Sequence, residues 1–223
     1  MARAEIKGLN AVVTGGSRGI GKATVELLEE CGYNVLAGDS KMGDLSNENG
    51  INQFVDCIDF DRVDVLVNNA GYTKYIDPSS WYDIDDALFD KIMDVNVKAP
   101  FKLIRKLRNR FVDTSCIINV ASVAGIIGNG SNVVYCASKA AIINMTKALA
   151  RNMAPIRVNS VSPGLIKTGF VKFPDEYYEK TVDKTPVGIV GQPIHVAKTI
   201  LSLIDSEYSS GIDVVVDGGR ILN

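Results

Sequence analysis

Short apolar runs alternate along the chain with longer stretches of mixed character. The runs "NAVVT" (10–14), "YNVLAGD" (33–39), the later part of "DRVDVLVNN" (61–69), "SCIINVAS" (115–122), "IRVNSVSPG" (156–164) and "GIDVVVDGG" (211–219) are rich in Val and Ile and read as strands. They are almost continuously apolar rather than alternating, as in parallel strands covered on both faces. Helical patterning runs from Gly19 to Cys31, from about Asp85 to Arg110 with Pro100 inside it, and from Val133 to Asn152. Two shorter helices fit between the last two strands. Strands and helices taking turns predict an α/β fold: one doubly wound, Rossmann-like parallel sheet spanning a single domain, 1–223. No repeat, low-complexity tract or linker divides the chain.

Composition narrows the function classes. Apolar residues make up 46% and charged residues 22% of 223, ordinary values for a globular domain. A net charge of −2 gives no pull toward nucleic acid or an acidic membrane. The start "MARAEIKGLN" lacks the apolar core of a signal peptide, and no run has the length of a membrane span. The expectation is a cytoplasmic protein with a small-molecule substrate. Cys31, Cys57, Cys116 and Cys136 are widely spaced, so free thiols are expected and no metal site.

The chemistry begins at "TGGSRGIG", Thr14–Gly21, which follows a strand and opens a helix. Gly15, Gly19 and Gly21 allow a tight turn, and the helix N-terminus offers N–H groups to a pyrophosphate. The spacing is G-x-x-x-G-x-G. Asp39 ends the second strand, where a carboxylate can hold ribose hydroxyls and repel a 2′-phosphate; this favours NAD. Arg18 pulls toward NADP, because a guanidinium in the glycine loop can pair with that phosphate. "NNAG" (68–71) ends the third strand, and asparagine amides there can reach the cofactor ribose. Ser122 ends the "IINVAS" strand and can donate to a substrate carbonyl. In "VVYCASKAA" (133–141), Tyr135 and Lys139 share a helix face at i, i+4. An ammonium near a phenol stabilises the phenolate and lowers its pKa from about 10, which suits general acid–base work. Each motif alone also reads as a turn, a solvated aspartate or a core tyrosine beside a surface lysine; the combination carries the argument.

The motifs "TGGSRGIG", "NNAG", "VNV" around Asn96, "INVAS", "YCASK", "VNSVSPG" and "VVVDGG" occur in an order that resembles the short-chain dehydrogenase/reductase family, from about Gly8 to the C-terminus. The resemblance implies hydride transfer between NAD or NADP and a carbonyl or alcohol carbon. It implies a catalytic tetrad: Ser122 polarising the carbonyl, Tyr135 moving the proton, Lys139 tuning the tyrosine and holding the nicotinamide ribose, and Asn96 distorting its helix so that its carbonyl holds a relay water. It further implies cofactor contacts at Gly15, Ser17, Arg18, Gly19, Ile20, Asp39, Asn68, Ala70, Gly71, Tyr135 and Lys139. Asp44 and Leu45 would bracket the adenine, and Pro163, Gly164, Ile166 and Thr168 would line the nicotinamide amide. Family members commonly form homodimers or homotetramers, and the small or apolar residues nearly all round the 135–152 helix fit burial on two sides.

One stretch departs from the family pattern. Only Ser40–Gly43 separate Asp39 from Asp44, whereas a parallel crossover needs about a dozen residues. Either the helix usual there is lost or the third strand is reduced to a stub. Elsewhere, Phe170, Phe173, Tyr177 and Tyr178 fall in Thr168–Thr185 and either form a lid or pack the loop. His195 reads as an exposed first-turn histidine, and the charges of "DKIMD" and "LIRKLRNR" as solvated helix faces. Reduction of a 3-oxoacyl thioester and oxidation of a sugar, polyol or steroid-like alcohol both remain open. So does a cofactor-binding regulator without catalysis.

Overall fold

A computed structural model describes residues 8–171 and 175–222. Six parallel strands form one sheet: β1 (Asn10–Val13), β2 (Asn34–Ala37), β3 (Val65–Asn68), β4 (Cys116–Val120), β5 (Arg157–Pro163) and β6 (Asp213–Val216). Their order is β2-β1-β3-β4-β5-β6. The chain therefore moves outward from β1 to β2 and then resumes on the other side of β1. That reversal places a crevice at the carboxyl ends of β1 and β3, where doubly wound sheets bind ligands. Val12 pairs with Leu36 on one side and Leu66 on the other. Every residue of β3 and β4 is buried, which explains their continuous apolar patterning.

Helices cover both faces. α1 (Gly19–Glu30) and α8 (Pro193–Asp205) bury Val25, Leu28, Val196 and Ile200 against Ala11, Val13, Val67 and Ile118. On the other face, α2 (Glu48–Asp56) and α4 (Ala99–Lys106) bury Ile51, Phe54, Leu103 and Ile104 against Val12, Leu66 and Ile117. α6 (Val133–Asn152) lies on that face too, Leu149 and Ala150 meeting the same cluster. α3 (Asp86–Met93), α5 (Ala124–Ile127) and α7 (Asp175–Val182) complete the set. Side chains cap α2, α3 and α6: Asn47, Asp85 and Asn132 accept from Gly50, Leu88 and Tyr135 N–H.

The long helix expected over 85–110 is interrupted by a π-helical turn, Asp94–Lys98, between α3 and α4. Pro100 follows directly, within backbone that stays helical from Met93 through Ala99, so its missing N–H interrupts the i→i−4 ladder where the π-turn joins α4. Two expectations about surface residues change. His195 is half-buried and accepts the Gln192 N–H on Nδ1, forming a capping box at the start of α8. In "LIRKLRNR", Lys102 and Lys106 both reach Glu48, each at 2.8 Å, tying α4 to α2. Arg110 donates to the Ile58 carbonyl at 2.7 Å.

The short connection after β2 loses both the helix and the strand. Residues 38–47 form turns and extended backbone and lead directly into α2, so β2 is the sheet edge. Close packing replaces the missing elements. A β-carbon at Gly50 would collide with the Asp44 carbonyl, and one at Gly43 with the Gly50 carbonyl. The loop carrying Asp44 and Leu45 thus lies directly on the first turn of α2. Gly50→Ala is expected to destabilise the protein by about 2 kcal/mol or more, because the backbone on both sides must part. Urea unfolding followed by circular dichroism checks this; an unchanged midpoint would mean that the loop is not seated on the helix.

Candidate active site

A cleft of about 850 Å³ runs along the carboxyl rim of the sheet. At its centre, the turn after β1 contributes Gly15, Ser17, Arg18, Gly19 and Ile20. Gly19 has φ +55°, a conformation that costs glycine little. No side chain caps α1, so its first-turn N–H groups remain available to an anion. The ends of β1 and β3 are tied together. Thr14 Oγ1 accepts from Asn69 N–H at 3.0 Å and Ala70 N–H at 2.9 Å, and Asn69 Nδ2 donates to the Thr14 and Gly15 carbonyls. Ala70 and Gly71 line the cleft beyond this tie.

Beyond β2, Asp39, Asp44 and Leu45 form one end of the cleft. Asp39 is half-buried, and its Oδ1 accepts the Lys41 N–H at 2.8 Å. The Ser46 backbone N–H holds the Asp44 carboxyl below its usual range, aided by the Ser46 hydroxyl and nearby Lys91. Across the cleft, Pro163, Gly164, Ile166 and Thr168 follow β5. A β-carbon on Gly19 would lie 3.1 Å from Thr168 Cβ, so the two loops meet over the strand ends.

Ser122, Tyr135 and Lys139 line the same cleft. Ser122 follows β4 and is buried, its Oγ accepting the Ala124 N–H at 3.2 Å. Asn132 sets the first turn of α6 and also donates to the Lys74 carbonyl at 2.8 Å, fixing where Tyr135 projects. Lys139 is only 5% exposed, and its Nζ donates to the Val120 carbonyl at 2.8 Å. That Nζ stands 5.7 Å from the centroid of the Tyr135 ring.

The electrostatics differ from the sequence expectation. Burial pushes the Tyr135 phenol up to about 12, and a hydrogen bond with Ser122 only partly opposes it. Burial pulls Lys139 down to about 8. The net shift of the phenol is therefore upward, burial outweighing the pull of the nearby ammonium. Lys139 is an ammonium held at a desolvation cost, next to a phenol that keeps its proton at neutral pH.

Two expected site residues lie outside the cleft lining. Asn96 is buried in the π-helical turn; its Oδ1 accepts Tyr72 N–H at 2.8 Å, and its Nδ2 donates to the Tyr72 carbonyl and Ser138 Oγ. Its side chain thus clamps the loop after β3 to α6. Asn68 is also buried and donates to Asn119 Oδ1 at 2.9 Å, away from the cleft. Its neighbour Asn69, just past the end of β3, lines the cleft instead, its amide turned to the Thr14 and Gly15 carbonyls. The reading of sequence also missed Tyr72, Tyr75, Lys91 and Arg220. Lys91 Nζ stands 4.5 Å from the Tyr72 ring centroid, although "DKIMD" read as solvated. Of the loop aromatics, Phe170 lines the cleft with its ring 6.4 Å from that of Tyr135, whereas Tyr178 is buried in packing. Phe173 and the side chain of Tyr177 lie outside the described residues.

Such a cleft, with a glycine turn at a helix start and a Ser–Tyr–Lys group beside it, defines a dinucleotide-binding oxidoreductase of the doubly wound α/β class. Comparison with known proteins agrees. Residues 41–220 match a family described as enoyl-(acyl carrier protein) reductase. The 3-oxoacyl-[acyl-carrier-protein] reductase FabG of Thermotoga maritima is 32% identical, over 97% of this chain and 99% of its own. That alignment runs over 247 positions although the chain has 223 residues, so it carries gaps on this side. A small-chain dehydrogenase in complex with NADPH superposes with a TM-score of 0.88 at 28% identity, over 96% of this chain and 99% of that one. The 3-ketoacyl-(acyl-carrier-protein) reductase of Brucella melitensis complexed with NADH gives 0.86 at 26% identity, over 96% and 98%. The chain belongs to the short-chain dehydrogenase/reductase family.

The buried lysine makes a pH prediction. An unfolded lysine titrates near 10.5 and the folded one near 8, so between these values the unfolded chain binds the extra proton. Stability contributed by this group therefore rises with pH across that window. The unfolding free energy of the unaltered protein minus that of Lys139→Met is expected to climb from pH 8 to pH 10.5. Urea titrations at several pH values measure it; a flat difference would show that Lys139 is solvated.

Proposed function

We propose that the protein is an NAD(P)H-dependent carbonyl reductase in which Tyr135 delivers the proton. The observation that carries this reading is the cleft itself, which joins the uncapped start of α1 to Ser122, Tyr135 and Lys139. The cofactor fits the residues present. The glycine turn and α1 would take its pyrophosphate, Asp39 the adenosine ribose, Asp44 and Leu45 the adenine, and Pro163, Gly164, Ile166 and Thr168 the nicotinamide side. When bound, the reduced nicotinamide supplies the hydride.

The chain's own residues do the rest. Ser122 Oγ donates to the substrate carbonyl and raises its electrophilicity. As negative charge grows on that oxygen, the Tyr135 hydroxyl transfers its proton to it, and the resulting phenolate is stabilised by the Lys139 ammonium. A phenol raised to about 12 is fully protonated at neutral pH, which supports the reductive direction. Lys139 also lies near the ribose side of the cleft: a β-carbon on Gly71 would be 3.7 Å from its Nζ. Asn96 acts as a positioning residue through the Tyr72 loop and α6. The substrate is a carbonyl compound, and the 3-oxoacyl group for which the FabG relatives are named is the first carbonyl to test. Asp39 favours NAD, through its second carboxylate oxygen and repulsion of a 2′-phosphate. The exposed outer side of α6, with Val133, Ala137 and Ala140, supports a homodimer or homotetramer.

Tyr135→Phe is expected to lower kcat by about 10²–10⁴-fold, the factor general acid catalysis supplies, with cofactor affinity little changed. Stopped-flow reduction of a 3-oxoacyl thioester together with calorimetric NAD(P)H titration tests both parts. Equal turnover in the variant would remove Tyr135 as the acid, whereas no turnover in either protein with cofactor still bound would favour a cofactor-sensing regulator. Asp39→Ala is expected to raise kcat/KM for NADPH relative to NADH by about tenfold; a ratio that already favours NADPH in the unaltered protein would overturn the NAD preference.

A further inference from the structure

The two ends of the cleft differ in charge. Its only carboxylates among the described residues are Asp39 and Asp44, both beyond the edge strand β2. Arg220 lines the cleft beyond β6, the opposite edge. Five strand spacings separate those edges, about 24 Å. That exceeds the screening length of about 8 Å at physiological salt, so neither aspartate compensates the arginine.

Arg220 is half-buried, and among the described residues no carboxylate lies within ion-pair distance of it. Asp217 is its nearest acidic neighbour in sequence. Both Asp217 oxygens are committed to the turn, accepting Gly219 N–H and Ile221 N–H at 2.8 Å each. Asp217 borders a small adjoining cavity of about 100 Å³ that Arg220 also lines, whereas of the two only Arg220 reaches the cleft. A half-buried guanidinium with no ion-pair partner among the described residues is free to take an anion from the cleft, and its planar donor fork matches a carboxylate. Ser122 follows β4, two strands from β6, or about 10 Å. Arg220 and Ser122 line the same cleft, so one small molecule can meet both.

We infer that Arg220 binds a carboxylate on the substrate, so that the enzyme selects short oxo acids over neutral ketones and over acyl thioesters, which carry no charge beside the carbonyl. This rests on the reading of the cleft as a carbonyl-reducing site and narrows its substrate class.

The test uses oxo acids whose carboxylate stands one to four carbons beyond the carbonyl, each with its primary amide, and one 3-oxoacyl thioester. kcat/KM is measured with NADH and NADPH for the unaltered protein, Arg220→Gln and Arg220→Lys. In parallel, calorimetry follows binding of the matching saturated acids and amides to the cofactor-loaded protein. At least one acid is expected to exceed its amide and the thioester about tenfold in the unaltered protein. Arg220→Gln should reduce that preference about tenfold, and Arg220→Lys should restore part of it. The wild-type comparison stands even where a variant fails to fold. Equal use of acid and amide throughout, a thioester preferred to every acid, or an acid preference that survives Arg220→Gln overturns the inference. If no carbonyl is reduced but the saturated acid binds about tenfold more weakly to Arg220→Gln, the arginine assignment stands and the reductase reading fails.

Discussion

The site depends on keeping an ammonium inside a protein. Lys139 has almost no contact with water, and its Nζ donates to the Val120 carbonyl. Burying a charge so poorly compensated is unfavourable, and the fall of its pKa to about 8 expresses that cost. The surrounding structure has to hold it in place. α5 packs so closely on α6 that a β-carbon on Gly125 would press into the backbone of Lys139 and Ala140. Ser138, the adjacent residue, is held by Asn96 Nδ2 and donates to the Tyr135 carbonyl. The π-helical turn supplying Asn96 is thus coupled to the helix that carries both tyrosine and lysine.

The charges around the phenol set its resting state. Burial outweighs the Ser122 hydrogen bond, so Tyr135 rests protonated. A positive charge brought into the same low-dielectric space would act on both groups at once, favouring phenolate and opposing the ammonium.

Much of this architecture was legible in the sequence because parallel strands buried on both faces leave continuous apolar runs. "VLVN" and "CIINV" are fully buried, as their composition implied. The Ser122–Tyr135–Lys139 group and the glycine turn were legible because each sits at a strand end or helix start that the pattern located. What the pattern missed depends on side-chain direction and tertiary contact. Asn68 and Asn69 are identical in type, and only the contacts made at the end of β3, to Asn119 for one and to the Thr14 and Gly15 carbonyls for the other, decide which one reaches the cleft. His195 and Lys102 looked solvated because their partners, the Gln192 backbone and Glu48, are made by the fold. Arg220 follows a turn after the last strand, and nothing in "VVVDGGRILN" marks it as facing the same cleft as Tyr135. The direction of the tyrosine shift was missed because a helix spacing gives proximity but says nothing of dielectric.

The truncated crossover also changes how the sheet ends. β2 presents one side of its backbone without a neighbouring strand, a surface on which foreign strands could nucleate aggregation. The segment is only four residues long and begins with an exposed asparagine. A ladder that short offers an incoming chain few hydrogen bonds, and the turns after Ala37 carry the backbone away before more can form. Brevity at this border thus guards the protein's solubility where a longer exposed strand would endanger it.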